Sequence, residues 1–101
     1  MELSEFTAEA MRPHVGSTFR LVLPDGEVVD LKLTEVVVRV EKRHSPRLKR
    51  DSFSLFFTGP RYLRQGIYPA RHEQLGGPWP ICFVPLGKKE DGTIEFEAVF
   101  T

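Results

Sequence analysis

The sequence predicts a single, mainly β domain spanning residues 1–101: a six-stranded antiparallel meander, closed into a small barrel or folded into a strongly bent sandwich, with one short N-terminal α-helix. Three observations predict it. Oily and polar side chains alternate with period two from Phe19 to Phe100, most cleanly at the end, where Ile94, Phe96, Ala98 and Phe100 share one side and Glu95 and Glu97 the other. Turn-forming clusters (Pro24-Asp25-Gly26, Gly59-Pro60, Leu75-Gly76-Gly77-Pro78 and Lys88-Lys89-Glu90-Asp91-Gly92) separate the alternating runs. A chain of 101 residues is also long enough to bury about two-thirds of its unfolded surface in one core.

The elements follow in order. Residues 4–14 read as a short amphipathic helix that Ser4 or Thr7 can cap and that Pro13 ends, with Phe6, Ala10 and Met11 on one side. So short a helix is unstable alone, so its apolar side must dock on the sheet, covering an open edge or plugging a barrel end. Strand one, about 17–23, points Phe19, Leu21 and Leu23 inward, and Pro24-Asp25-Gly26 turns the chain. Strand two, about 27–41, carries Val29, Leu31 and Leu33 on one face, then Val36, Val38 and Val40 with the opposite parity. That shift means a bulge near Thr34-Glu35, or a strand passing between layers, and long bent strands suit small barrels and orthogonal sandwiches. Arg43 to Asp51 reads as a polar, basic, mobile loop. Strand three, about 52–58, alternates Phe53, Leu55 and Phe57, with Phe56 extra. Strands four to six fall at about 66–72, 79–86 and 93–100. In strand five, Ile81-Cys82-Phe83-Val84 is apolar on both sides, which predicts cover on both faces. Pro80 and Pro85 mark it as irregular or bordering an edge, because proline donates nothing to a ladder.

Composition excludes several classes. With 41% hydrophobic and 28% charged residues the chain is an ordinary globular one, not a disordered one. Its strongest apolar run, Val36 to Val40, is far too short to cross a bilayer as a helix. The acidic start, Met1-Glu2-Leu3-Ser4-Glu5, lacks the basic and apolar regions of a signal peptide. Cys82 stands alone, so no internal disulfide forms, and its apolar strand marks it as a buried structural thiol. A cytoplasmic protein is the simplest expectation.

Net charge is zero but unevenly distributed. Residues 1–38 hold three Lys/Arg against seven Asp/Glu, a balance of −4. Residues 39–71 hold nine against two, giving +7, and residues 72–101 two against five, giving −3. A protein with one basic and one acidic side can associate head to tail or add to a partner assembly.

Several motifs run through nearly the whole chain: Phe6 with Pro13-His14-Val15-Gly16 and Phe19, Phe53-Ser54-Leu55-Phe56-Phe57-Thr58-Gly59-Pro60, Gln65-Gly66-Ile67-Tyr68, His72 with Leu75-Gly76, Phe83-Val84-Pro85-Leu86-Gly87, and Phe96-Glu97-Ala98-Val99-Phe100. Together they resemble a family of short bacterial all-β proteins catalogued only as a domain of unknown function. The resemblance carries over no activity, cofactor or catalytic residue. It implies a neighbourhood of phage-tail-collar-like proteins, and hence a structural or assembly role. Gly77-Pro78-Trp79-Pro80 departs from the family's pattern.

Chemical candidates are few. His14, His44 and His72 show no metal spacing. They reach a metal site only by meeting in space with Glu73 or Asp25, and hydrogen bonds in caps or turns are the weightier reading. No Ser or Cys sits in a nucleophile elbow, and no glycine-rich phosphate loop is present. Glu95 and Glu97 lie one strand face apart, where the alternation predicts solvent rather than acid–base work. These readings predict no enzyme activity, no metal and no cofactor.

The basic residues Arg43, Arg47, Lys49 and Arg50, with Arg61, Tyr62 and Arg64, form the candidate partner-binding set. Trp79, between Pro78 and Pro80, joins them as a rigid aromatic contact, although a tryptophan capping the core is the weightier reading. The expected function is a non-enzymatic structural or protein–protein interaction module, assembling with a protein partner or with itself. The alternative is a nucleic-acid-binding β module using the basic 42–50 loop, and the third a small-ligand-binding barrel.

Overall fold

The computed structural model describes residues 1–39 and 52–101. The basic stretch holding Arg43, Arg47, Lys49 and Arg50 lies outside the described residues, as does the expected 43–51 loop.

Six strands close into an antiparallel barrel. They are β1 (Thr18–Val22), β2 (Val28–Arg39), β3 (Ser52–Gly59), β4 (Gly66–His72), β5 (Gly76–Lys88) and β6 (Ile94–Phe100). The order around the barrel is β1-β2-β3-β6-β5-β4, with β4 returning to β1. The predicted meander is therefore two: β1-β2-β3 and β4-β5-β6 are each sequential, and the seams β3–β6 and β1–β4 join them. The chain leaves β3 at Gly59-Pro60 and crosses to begin the second meander instead of pairing back on β3.

The alternating residues point where period two puts them. Phe19, Leu21, Val29, Leu31, Leu33, Phe53, Leu55, Phe57, Phe83, Phe96 and Ala98 fill the interior. The parity shift in β2 is a bulge: Leu33 pairs with Phe57 and Glu35 with Phe56, leaving Thr34 as the extra residue. Its hydroxyl donates to the Phe56 carbonyl at 3.1 Å. Beyond the bulge Val36 and Val38 turn inward and pack on the core.

The N-terminal helix is shorter than residues 4–14. Only Ala8–Met11 is α-helical (α1), between 3₁₀ turns at Leu3–Glu5 and Arg12–His14. The cause is local: Thr7 is extended and its hydroxyl accepts from the Ala10 amide, restarting the chain, and Pro13 sits in the turn that follows. Phe6, extended between the two turns, enters the barrel end, so the segment is the plug that its apolar side required.

Strand β5 corrects two expectations. It starts at Gly76, so Gly76-Gly77-Pro78 belongs to the strand and the turn is Glu73 to Leu75. Gly77 has φ of +98°, and a Cβ there would lie 2.7 Å from the Ala70 carbonyl oxygen, so no side chain fits. The two-sided apolar run is not covered on both sides. Ile81 and Phe83 are buried, whereas Cys82 is exposed on the outer face. The prolines do mark irregular, locally unpaired stretches. Pro80 pairs with Pro69 of β4 where the β1–β4 ladder has ended at Ala70 and the β5–β6 ladder has not yet begun at Val84, and the β5–β6 register shifts between Pro85 and Gly87.

Candidate functional site

Trp79 belongs to the core and not to a partner surface. It is 5% exposed, meets Phe6 edge-on at 5.0 Å, and its indole N–H donates to the Met1 carbonyl at 2.8 Å. Odd positions of β5 face inward, and an indole inside a barrel needs one polar partner, which the N-terminal segment supplies.

The barrel brings two histidines together. His14 and His72 rings lie edge-to-face, 5.1 Å apart. His72, on β4, is buried against Phe19, and its Nε2 lies 2.9 Å from the Ser17 hydroxyl. The arrangement resembles a nucleophile–base pair but is wired the other way. His72 Nδ1 accepts the backbone amides of Gln74 and Leu75, at 3.1 and 3.2 Å. The proton therefore resides on Nε2, which donates to Ser17, and Ser17 in turn donates to the His14 carbonyl. A base that must donate to its serine cannot take the serine's proton. Burial, reinforced by the neighbouring His14, holds the His72 pKa below the usual histidine value and keeps the ring neutral. Among the described residues no group of three or more His, Cys, Asp or Glu side chains is placed to hold a metal ion.

Glu97 is not the solvated carboxylate that alternation predicts. Its side chain is 15% exposed and accepts from the Ser54 hydroxyl and the Arg39 guanidinium, both at 2.7 Å. Ser54 itself is fully buried, and its hydroxyl is paired with Glu97. Glu95 faces Lys89 at 4.0 Å. The two carboxylates have separate partners and form no acid–base pair.

Three of the predicted partner residues do meet. Arg61, Tyr62 and Arg64 lie in the connection between β3 and β4, beside the β1–β2 turn, and line an open groove of about 480 Å³. Leu23, Pro24, Ile67 and Tyr68 supply its apolar lining. Arg61 is held by Glu27 at 2.7 Å, whereas the Arg64 guanidinium makes no ion pair among the described residues. The Arg64 carbonyl accepts the Tyr68 hydroxyl at 2.6 Å, which anchors the loop to β4. Tyr62 is 59% exposed.

From this groove an uncharged strip runs over the outside of the barrel. Val22 pairs with Val28, Pro69 with Pro80 and Ile67 with Cys82, and Val22 and Pro69 are the residues next in the chain to the last β1–β4 pair, Leu21 with Ala70. Ile67 is 69% exposed, and Val22 and Val28 are also exposed. Sequence reasoning recorded the apolar Cys82 but did not assemble the strip, because its members come from four strands whose pairing the sequence does not print. The apolar outer positions of β5 were the one available signal.

A family model described as a domain of unknown function, DUF6916, matches residues 6–100. No curated protein and no solved structure matches the chain. Among the described residues no helix is long and apolar enough to cross a membrane.

Proposed function

The chain belongs to the DUF6916 family, a domain of unknown function, and from that premise we propose that it is a non-enzymatic, cytoplasmic protein–protein interaction module that serves an assembly. The observation that carries the reading is the outer strip of Val22, Val28, Ile67, Pro69, Pro80 and Cys82, continuous with the groove of Arg61, Tyr62 and Arg64. An exposed isoleucine, paired valines and a solvent-facing tyrosine in one place, bordered by arginines, have the composition of an interface: apolar at the centre, Arg and Tyr at the margin. The inverted wiring of Ser17 and His72 argues against nucleophilic catalysis at their contact. Nucleic-acid binding is the weaker reading, since the strip carries no positive charge.

Cys82, the sole cysteine, stands on the strip and supplies the experiment. A photo-activated cross-linker attached there in the full chain is exposed to host extract. Protein adducts are expected from Cys82 and not from a cysteine moved to the β5–β6 turn by Lys89→Cys with Cys82→Ser. Ile67→Asp, an exposed change worth within about 0.5 kcal/mol of stability, should abolish them. Equal adducts from both positions, or adducts to nucleic acid alone, would overturn the proposal. Light scattering on the same samples shows whether the partner is a second copy.

A further inference from the structure

We infer that the groove between the β1–β2 turn and the Arg61–Tyr62–Leu63–Arg64 loop receives a large apolar side chain next to one carboxylate, presented by a segment of a partner protein. This deepens the interaction-module reading and rests on it. The lining divides the work. Leu23, Pro24 and Ile67 offer apolar surface, and Tyr62 offers a ring free to pack on a guest side chain. A groove of about 480 Å³ accommodates one aromatic or aliphatic side chain together with its neighbours' polar groups.

Charge selects the flanks. Of the two arginines lining the groove, Arg61 is taken by Glu27, with Asp25 also within electrostatic reach. Arg64 makes no ion pair among the described residues, and it is the complement a single carboxylate would fit. The same acidic residues disfavour a polyphosphate. A nucleic-acid backbone laid along the groove would meet one unspent arginine and the carboxylates of Glu27 and Asp25.

The barrel is closed, with no described strand left without a neighbour on either side, and the groove is where apolar, aromatic and cationic side chains converge, so side chains are the mode of recognition that its lining offers.

The test uses the full chain, isotope-labelled for amide NMR. It is titrated with an acetylated, amidated peptide Ala-Ala-Phe-Glu, with its counterpart bearing lysine in place of the glutamate, and with a short oligothymidylate. The acidic peptide is expected to shift the amides of 61–68 and of Leu23, and Arg64→Glu to weaken it at least about ten-fold. Lys89→Glu, at the β5–β6 turn, should leave it unchanged. An equal response to the lysine peptide, tighter binding of oligothymidylate, no shift near the groove, or no effect of Arg64→Glu overturns the inference. If it falls while the Ile67-dependent adducts at Cys82 persist, the interaction module stands and only the groove's occupant is wrong.

Discussion

Phe6→Ala probes whether the N-terminal segment is part of the fold or an appendage. Phe6 has no exposed surface, contacts Trp79 edge-on at 5.0 Å and stacks on Phe100 at 5.5 Å, and Phe100 stacks on Phe53 at 5.0 Å. Truncating a buried phenylalanine costs about 3–5 kcal/mol through lost transfer energy and the cavity left behind. Each aromatic pair supplies about 0.5–1.5 kcal/mol of that. A domain of this size is stable by about 5–15 kcal/mol, so the loss is a large share. With about 4–8 °C per kcal/mol, a 3 kcal/mol loss lowers Tm by about 12–24 °C. Trp79, the only tryptophan, is the reporter: urea unfolding followed by its emission gives the free energy, and the folded emission maximum shows whether water reaches the ring. Phe6→Leu, which keeps much of the volume but neither ring contact, should lose about half as much. A loss below about 1 kcal/mol for the alanine variant, with unchanged emission, would refute the plug.

The remaining predictions concern other parts of the barrel. His72 is held below its usual pKa by burial and by His14, so the unfolded chain takes up a proton, from about pH 6.5 downward, that the native chain resists. Its contribution is complete above that pH and declines as pH falls toward the lower native value; urea unfolding between pH 7.5 and 5.5 should show the decline, and His72→Asn should flatten it. Gly59→Ala should destabilise by about 1–3 kcal/mol, because the added methyl would overlap the Leu31 side chain and come within 3.4 Å of the Phe96 ring; thermal melts check this, and an unchanged Tm would contradict the packing. Cys82 should react fully with a disulfide reagent in the native protein at neutral pH, without denaturant. Protection until unfolding would restore the buried-thiol reading.

Local patterns were legible in the sequence, and their assembly was not. β6 could be placed because charges interrupt its apolar side at every second residue, and the Thr34 bulge because a register slip changes parity visibly. The plug was legible in principle, since a short segment carrying Phe6 and Met11 has to bury them somewhere. Cys82 misled because period two cannot tell a strand covered on both faces from one whose outer face is apolar and exposed. Trp79 was open to two readings because flanking prolines look the same on a surface loop and at the end of a ladder, and the weightier one, a cap on the core, is what its burial bears out. The approach of His14 to His72, and the union of Arg61, Tyr62 and Arg64 with Ile67 and Leu23, depend on which strands become neighbours. That choice is made by non-local packing, which no short window of residues records.

The two seams have a kinetic consequence. Each meander zips through contacts between neighbours in the chain, but β1–β4 and β3–β6 must find partners from opposite halves of the molecule. The entropy of closing those long loops is lost before their contacts repay it, which places folding in the millisecond-to-second range of other β barrels. Substitutions facing each other across a seam, such as Leu21 and Ala70, should therefore slow refolding more than equally destabilising ones within the β1–β2 hairpin, which should mainly hasten unfolding.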